Sequence, residues 1–533
     1  MGELDTTQLV IADAPQYFFD NGIVESVQNV KRTVHRPSRH PLNPLLRKDR
    51  PWEHVPYFGS ADYVLWRELG VGQFRCLYTD WHFDRERYAD VGQRGTIMDW
   101  GITLDHQLYA ESTDGIQWTK PPMQIREHEG QDTNIVFGGA DYGSVWNLTL
   151  VDDPLEINPD CRFKALYNYV GPTTVTKELP GTEMRAAYSA DGVHWTPYQE
   201  TPTFGRCGSR LGDVAIANYD PRSRTYLLNT RHGWQDAWHA ASPTTEAGEF
   251  AEGTGGPRFD PILGRADRRG RRRIFQCESR DFLHWSEPRL MLAPDPALDN
   301  VDDAFYGMNQ LQLGDQWVGF LDVFHMVDNT VDVQLVHSRN GRDWRRIDPG
   351  KPWLRTGDAG EWDQFMTYHV HATPAADELR LYYGGAKNHH DWWILGQLER
   401  NRSIPEAWNI ENVGFGLGLA TLRLDGFVSL GANRVREGVI TTQPFASSGN
   451  QLTLNVACAS EGYVKVEATD VSGQPLPGCS WNDCDVFDGD STAHTVTWAG
   501  EQRLPASTGP RPPWRRLRFI IRDAELFSFR LSA

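Results

Sequence analysis

Five stretches of this chain set a carboxylate just ahead of a β-forming run. They are Trp52-Glu53 before Val55–Phe58, Asp141 before Val145–Leu150, Asp213 in Arg210-Leu-Gly-Asp213-Val-Ala, Asp302-Asp303 in Val-Asp-Asp-Ala-Phe-Tyr306-Gly, and Glu361-Trp362-Asp363 before Met366–His369. Carboxyl groups brought together in pairs can cleave a glycosidic bond, one protonated to assist the leaving oxygen and one ionised as nucleophile or base. Aromatic or glycine neighbours at most of these positions suit a flat sugar face and a close backbone approach. Arg231-His232, His325, His369, His371 and His389-His390 are candidates for contacts to hydroxyls, Tyr306 is a further binding candidate, and Trp52 and Trp362 are candidates for ring stacking. Each carboxylate has an alternative task, accepting backbone amides at a strand start, so residue type alone leaves the choice open.

Residues so far apart converge only if a repeated scaffold gathers the strand starts. The phrase Ser-x-Asp-Gly-x-x-Trp occurs at Ser112–Trp118 and Ser189–Trp195, with looser copies at Ser279–Trp285 and Ser338–Trp344 and a weaker fifth at Thr421–Phe427. Its turn residues fall at 114, 191, 281, 340 and 425. Those spacings suit four-stranded units with insertions, and such units repeated radially make a propeller. Asp-Gly or Asn-Gly supplies a tight turn, because glycine tolerates positive φ and Asp bonds its own backbone. The phrase builds scaffold, and the Trp is expected to pack between blades. Strand-like runs lie between the markers: Phe74–Tyr78, Phe163–Tyr167, Tyr226–Thr230, Trp317–Leu321 and Leu379–Tyr383.

The predicted fold is therefore all-β: a five-bladed β-propeller over residues 51–432, followed by a β-sandwich over 433–533. The sandwich is read from alternating runs such as QLTLNVACA, GYVKVEATD and RRLRFIIRD. Residues 1–50 read as an irregular N-terminal arm, because the prolines of HRPSRHPLNPLLRKDRP discourage regular structure. Twenty Trp in 533 residues also favour an all-β repeat fold or a sugar cleft over a helical bundle.

A net charge of −18 repels phosphate backbones and anionic lipid headgroups, so neither nucleic acid nor membrane is an expected partner. The basic run Arg265, Arg268, Arg269, Arg271, Arg272 and Arg273 is read as a solvated turn before Ile274. Seven Cys, an odd number with no paired ligand spacing, argue against a complete disulfide framework and a zinc site. No secretion signal or membrane-length apolar run is visible, so a cytoplasmic protein is expected. No cofactor is expected, with a Ca²⁺ ion in the propeller channel as the alternative. Composition leaves a homo-oligomer open.

Five blades with a trailing sandwich resemble the propeller glycoside hydrolases of families 32, 43, 62, 68 and 117, and the sandwich looks most like that of family 32. The family 32 segments Asn-Asp-Pro-Asn and Arg-Asp-Pro are absent here, and Cys277-Glu278 stands in reversed order. The chain thus looks like a divergent branch. The resemblance implies three carboxylates from blades 1, 3 and 4, which by position are Glu53, Asp213 and Asp303, with Asp363 the main rival. Asp213 or Asp303 would be nucleophile or base and Glu53 the acid. It further implies a glycosidase on a fructo- or arabinofuranoside, and a central funnel closed by long insertions suits exo action or release of a small oligosaccharide. A glycoside phosphorylase or transglycosylase on the same scaffold, or a non-catalytic carbohydrate-binding propeller, are the alternatives.

Overall fold

The computed structural model describes residues 9–59, 61–67, 72–83, 105–139, 141–171, 183–208, 211, 214–231, 272–505 and 513–533. Five β units built mainly of antiparallel strand pairs follow one another along the chain, the fourth and fifth joined by a parallel pair at Val331 and Met366 into one nine-stranded sheet. Their inner strands are Val55–Tyr57 with Tyr63–Arg67, then Ser144–Asp152, Ala215–Asp220, Asp303–Leu313 and Met366–Ala375. Each inner strand touches the next, and the fifth returns to the first, so the units close into a ring of five blades. Near their starts the inner strands of blades 1, 4 and 5 approach one another, through Tyr57, Tyr306 and Tyr368.

The repeated phrase forms one and the same turn, four times, between the third strand of a blade and its outer edge. The Ser Oγ accepts the amide of Gly115, Gly192, Phe282 and Gly341 at 2.8, 2.9, 2.9 and 3.0 Å. The Asp or Asn two residues after the Ser accepts two further amides in every copy. The residue after it has φ of 73°, 77°, 71° and 72°. Three of the four are glycine, as the left-handed region favours. Phe282 is the exception, and its fully buried ring, packed on Tyr226 and Trp285, offsets the local strain.

The fifth copy is different. Strand Phe415–Arg423 runs through Asp425 into Val428–Ala432, which pairs with the C-terminal strand Trp514–Ser532 rather than returning to blade 5. The missing outer edge of blade 5 comes from the beginning of the chain, where Ser38–Arg39 and Leu46–Arg47 pair with Phe415–Arg423. Blade 5 meets blade 1 tightly, for a Cβ on Gly384 would lie 1.6 Å from the Phe58 carbonyl oxygen.

The N-terminal arm is therefore more regular than its prolines suggested. Gln16–Tyr17, Val24–Gln28 and Lys31–Val34 also join the C-terminal sheet. Pro37, Pro41 and Pro44 flank the paired dipeptides instead of interrupting them, so no ladder amide is lost. The C-terminal unit has its own core, centred on the 19-residue strands Gln451–Thr469 and Trp514–Ser532. A further cluster joins Tyr17, Phe19, Phe427 and Val428 to blades 4 and 5. No helix among the described residues is long and apolar enough to cross a membrane.

Candidate functional site

The inner strands are broken near their starts. Register shifts occur between Trp146 and Thr149, Phe305 and Gly307, and Tyr368 and His371, with Asn147 and His369 at φ of 49° and 54°. A bulge re-aims a side chain but strips a backbone amide of its ladder partner. Two buried aspartates repair this. Asp62 Oδ1 accepts the Asn147 amide at 3.2 Å, and Asp322 Oδ1 accepts the His369 amide at 2.9 Å, each across a blade boundary. The phenols of Tyr57 and Tyr368 sit close to each other and to Tyr306, and burial pushes both well above the ordinary tyrosine range. Three blades thus bring phenols to one place.

A polar cluster surrounds Tyr306. The Phe305 amide donates to the Arg272 carbonyl at 3.0 Å, stitching blade 4 to the end of blade 3. As a result the Arg231 and Arg272 guanidiniums lie 4.5 and 4.9 Å from the centre of the Tyr306 ring, and Arg272 is 5.2 Å from that of Phe324. His390 arrives from blade 5, its ring 4.8 Å from Tyr306 and 4.4 Å from Phe324. Asn329 fixes that loop, taking the His390 amide at its carbonyl (3.1 Å) and the Asp391 amide at its side chain (2.6 Å). His390 Nδ1 is 2.8 Å from Asp391 Oδ1. Burial pushes the imidazole below the ordinary histidine value, outweighing Asp391. Burial would raise the Asp391 carboxyl, but His390, Arg272 and Arg231 together hold it below its ordinary value.

Asp303 lies at the start of the same strand as Tyr306 and is 1% exposed. Its Oδ1 is 2.7 Å from His325 Nδ1, and its Oδ2 accepts the Asn300 amide at 2.9 Å. The other ring nitrogen, His325 Nε2, is 3.0 Å from Asp332 Oδ2. Burial works against charge on Asp303, yet the His325 contact more than compensates and its carboxyl falls below the ordinary value. Burial also opposes charge on His325, but the two carboxylates push it up to about 10. A folded value above the unfolded one of roughly 6.5 means that His325 contributes stability fully below that pH and loses it as the pH climbs towards 10. Melting scans are expected to show that alkaline decline in the wild type and a shallower one in His325→Gln.

The remaining sequence candidates that the structure describes are engaged with other partners. Glu53, expected to supply the acid, is closed in by four donors: Tyr78 Oη at 2.9 Å and Lys120 Nζ at 2.6 Å on one oxygen, the Asp49 and Arg50 amides at 2.8 and 3.0 Å on the other. Each carboxylate oxygen thus already accepts two hydrogen bonds, a geometry that suits a buried counter-ion. Trp52 is tied by its indole N–H to Asn134 at 2.8 Å. Asp363 accepts from Arg39 and Tyr383, each at 3.0 Å, and so pins the closing N-terminal strand to blade 5. Trp362 faces Gly385, Gly416 and Gly418, whose lack of side chains makes room for its ring. His371 stands farther along its strand against Tyr63 and Asn309, and burial drives it down to about 4. Asp141 is exposed and bound to Arg126 at 2.6 Å. Asp213 and His232 lie outside the described residues.

Of the positions chosen from sequence, the structure gathers Arg231, Tyr306 and His390, with Asp303 on the Tyr306 strand. It adds Arg272, Asp391, Tyr57, Tyr368 and Asp332. Arg272 corrects an expectation: this end of the basic run is not a solvated turn but lies over two aromatic rings. Its position two residues before strand Ile274–Ser279 was the available signal. Among the described residues no group of three or more His, Cys, Asp and Glu is arranged to hold a metal ion.

No protein-family model and no curated protein sequence matches the chain. Several solved structures are similar at low identity. The β-1,2-mannobiose phosphorylase from Listeria innocua aligns with a TM-score of 0.44 at 11% identity, over 73% of this chain and 97% of that one. The catalytic domain of the family 62 α-L-arabinofuranosidase from Coprinopsis cinerea gives 0.41 at 12%, over 73% and 97%. A family 43 arabinoxylan arabinofuranohydrolase from Bacillus subtilis gives 0.38 at 11%, over 93% and 98%.

Proposed function

We propose that this protein is a carbohydrate-active enzyme that cleaves a glycosidic bond at the mouth of its propeller. The observation carrying the reading is the convergence at Tyr306 of polar groups from blades 3, 4 and 5: Arg231, Arg272, His390 and Asp391, with Asp303 on the strand that carries the tyrosine. An aromatic wall ringed by a few placed donors and acceptors suits a sugar. In this reading Asp303 is the ionised carboxylate, acting as base or nucleophile. Asp213 is the second carboxyl, a role that rests on its sequence position alone. Arg231, Arg272 and His390 hold hydroxyls. The favoured substrate is a terminal furanoside.

A second reading has its own support. Two guanidiniums over one phenol ring, beside an imidazole, could equally seat a phosphate in place of the attacking water. Both readings are tested by incubating the protein with a panel of aryl α- and β-furanosides and pyranosides, with and without inorganic phosphate. Turnover without phosphate is the expected result. Turnover that needs phosphate and releases a sugar 1-phosphate would assign a phosphorylase. Silence across the panel in both conditions would sink the catalytic reading in favour of a binding propeller.

A further inference from the structure

Asp303, His325 and Asp332 come from three adjacent strands of blade 4: Asp303–Leu313, Gln316–His325 and Thr330–Ser338. Asp303 and His325 are ladder partners, and Asp332 reaches the far side of the imidazole from the third strand. The fold does not require charge here. The corresponding first ladder pairs of the other blades are Val55–Trp81, Ser144–Val170, Ala215–Thr230 and Met366–Ala386, none with an ionisable side chain. Stability alone does not call for a charged cluster here either, since well-packed apolar replacements of buried ion pairs are often neutral or better. Asp332 Oδ1 is buried without a partner among the described residues, a further cost that a purely structural contact would be expected to avoid.

We propose that His325 is a positioning residue, clamped between Asp303 and Asp332 so that Asp303 stays fixed and anionic at the channel mouth. The inference rests on the reading that Asp303 takes part in the reaction. With Asp332 on its far nitrogen, the imidazole stays cationic and donates to Asp303. Without Asp332 the ring could lose its proton or turn, and Asp303 would lose both its orientation and the charge that favours its ionised form. The other groups facing this cluster are already matched. Asp299 pairs with Arg346 at 2.5 Å, Gln334 binds that same Arg346 at 2.7 Å, Asn300 serves Asp303, and Asp302 accepts the Val327 amide at 3.0 Å. Arg272, from blade 3, lies over Phe324, the residue before His325.

Two measurements test this. First, the protein with ¹³C-labelled histidine is titrated by NMR, with the His325 signal assigned by its loss in His325→Gln. His325 is expected to remain imidazolium well past the ordinary histidine midpoint, and Asp332→Asn to lower its midpoint by about one pH unit or more. A wild-type midpoint in the ordinary range would overturn the inference. Second, pH profiles are taken on whichever glycoside the panel shows to be turned over. Asp332→Asn and His325→Gln are expected to lower kcat more than they raise KM and to move the ionisation that limits kcat/KM. If both variants keep the wild-type kcat and profile while Asp303→Asn abolishes turnover, the clamp is refuted and the site reading stands. If Asp303→Asn is as active as wild type, or the panel is silent, the site reading falls and takes the inference with it.

Discussion

Asp303→Asn is expected to lower kcat/KM by roughly 10²- to 10⁴-fold, whereas Asp363→Asn is expected to leave it nearly unchanged. Both residues are buried aspartates near the start of an inner strand, and both looked like candidates from sequence. Their surroundings differ. Asp303 shares its strand with Tyr306, the ring on which Arg272 and His390 converge, and is held below its ordinary value chiefly by His325 against the effect of burial. Asp363 is raised by burial, is tied to Arg39 and Tyr383, and bonds the N-terminal strand to blade 5. Asparagine keeps the shape of either side chain and removes its charge. The first loss should register in turnover, the second in melting temperature. Steady-state kinetics and a thermal scan of both variants decide the matter. Equal losses of activity in the two would mean that the site has been placed on the wrong carboxylate.

Lys120→Met is expected to destabilise the propeller by about 3–5 kcal/mol, because it leaves the Glu53 carboxylate buried without its cation. The Glu53 side chain is fully buried and that of Lys120 is 3% exposed, so solvent screens their contact weakly. The amine also donates to the Arg47 carbonyl at 2.8 Å and to Asp49 at 2.7 Å, so it ties the segment that closes blade 5 down onto blade 1. Glu53→Leu combined with Lys120→Met should recover much of the loss, since no orphaned charge then remains. Chemical denaturation of the two single variants and the double one measures the coupling. A Glu53→Gln variant that keeps wild-type stability yet has lost its activity would return Glu53 to the catalytic set and contradict its structural reading.

Several features were legible in the amino-acid order because they are local. The Ser-x-Asp/Asn turns are specified by hydrogen bonds within six residues, so their repetition disclosed the blades directly. Strand runs such as Trp317–Leu321 followed from β-propensity and the turns beside them. Arg231, Tyr306 and His390 were legible as polar or aromatic residues next to strand ends. Other features required three dimensions. That the arm before residue 50 completes blade 5 depends on the free edge of Phe415–Arg423, nearly four hundred residues away in sequence. Glu53 and Asp303 look alike in sequence, and only the arrival of Lys120 at one and His325 at the other separates them. Sequence determined the repeat and the menu of reactive side chains, because turns and strands are short-range. Tertiary structure decided which carboxylate meets which cation, because burial and long-range contacts set the electrostatics of each group.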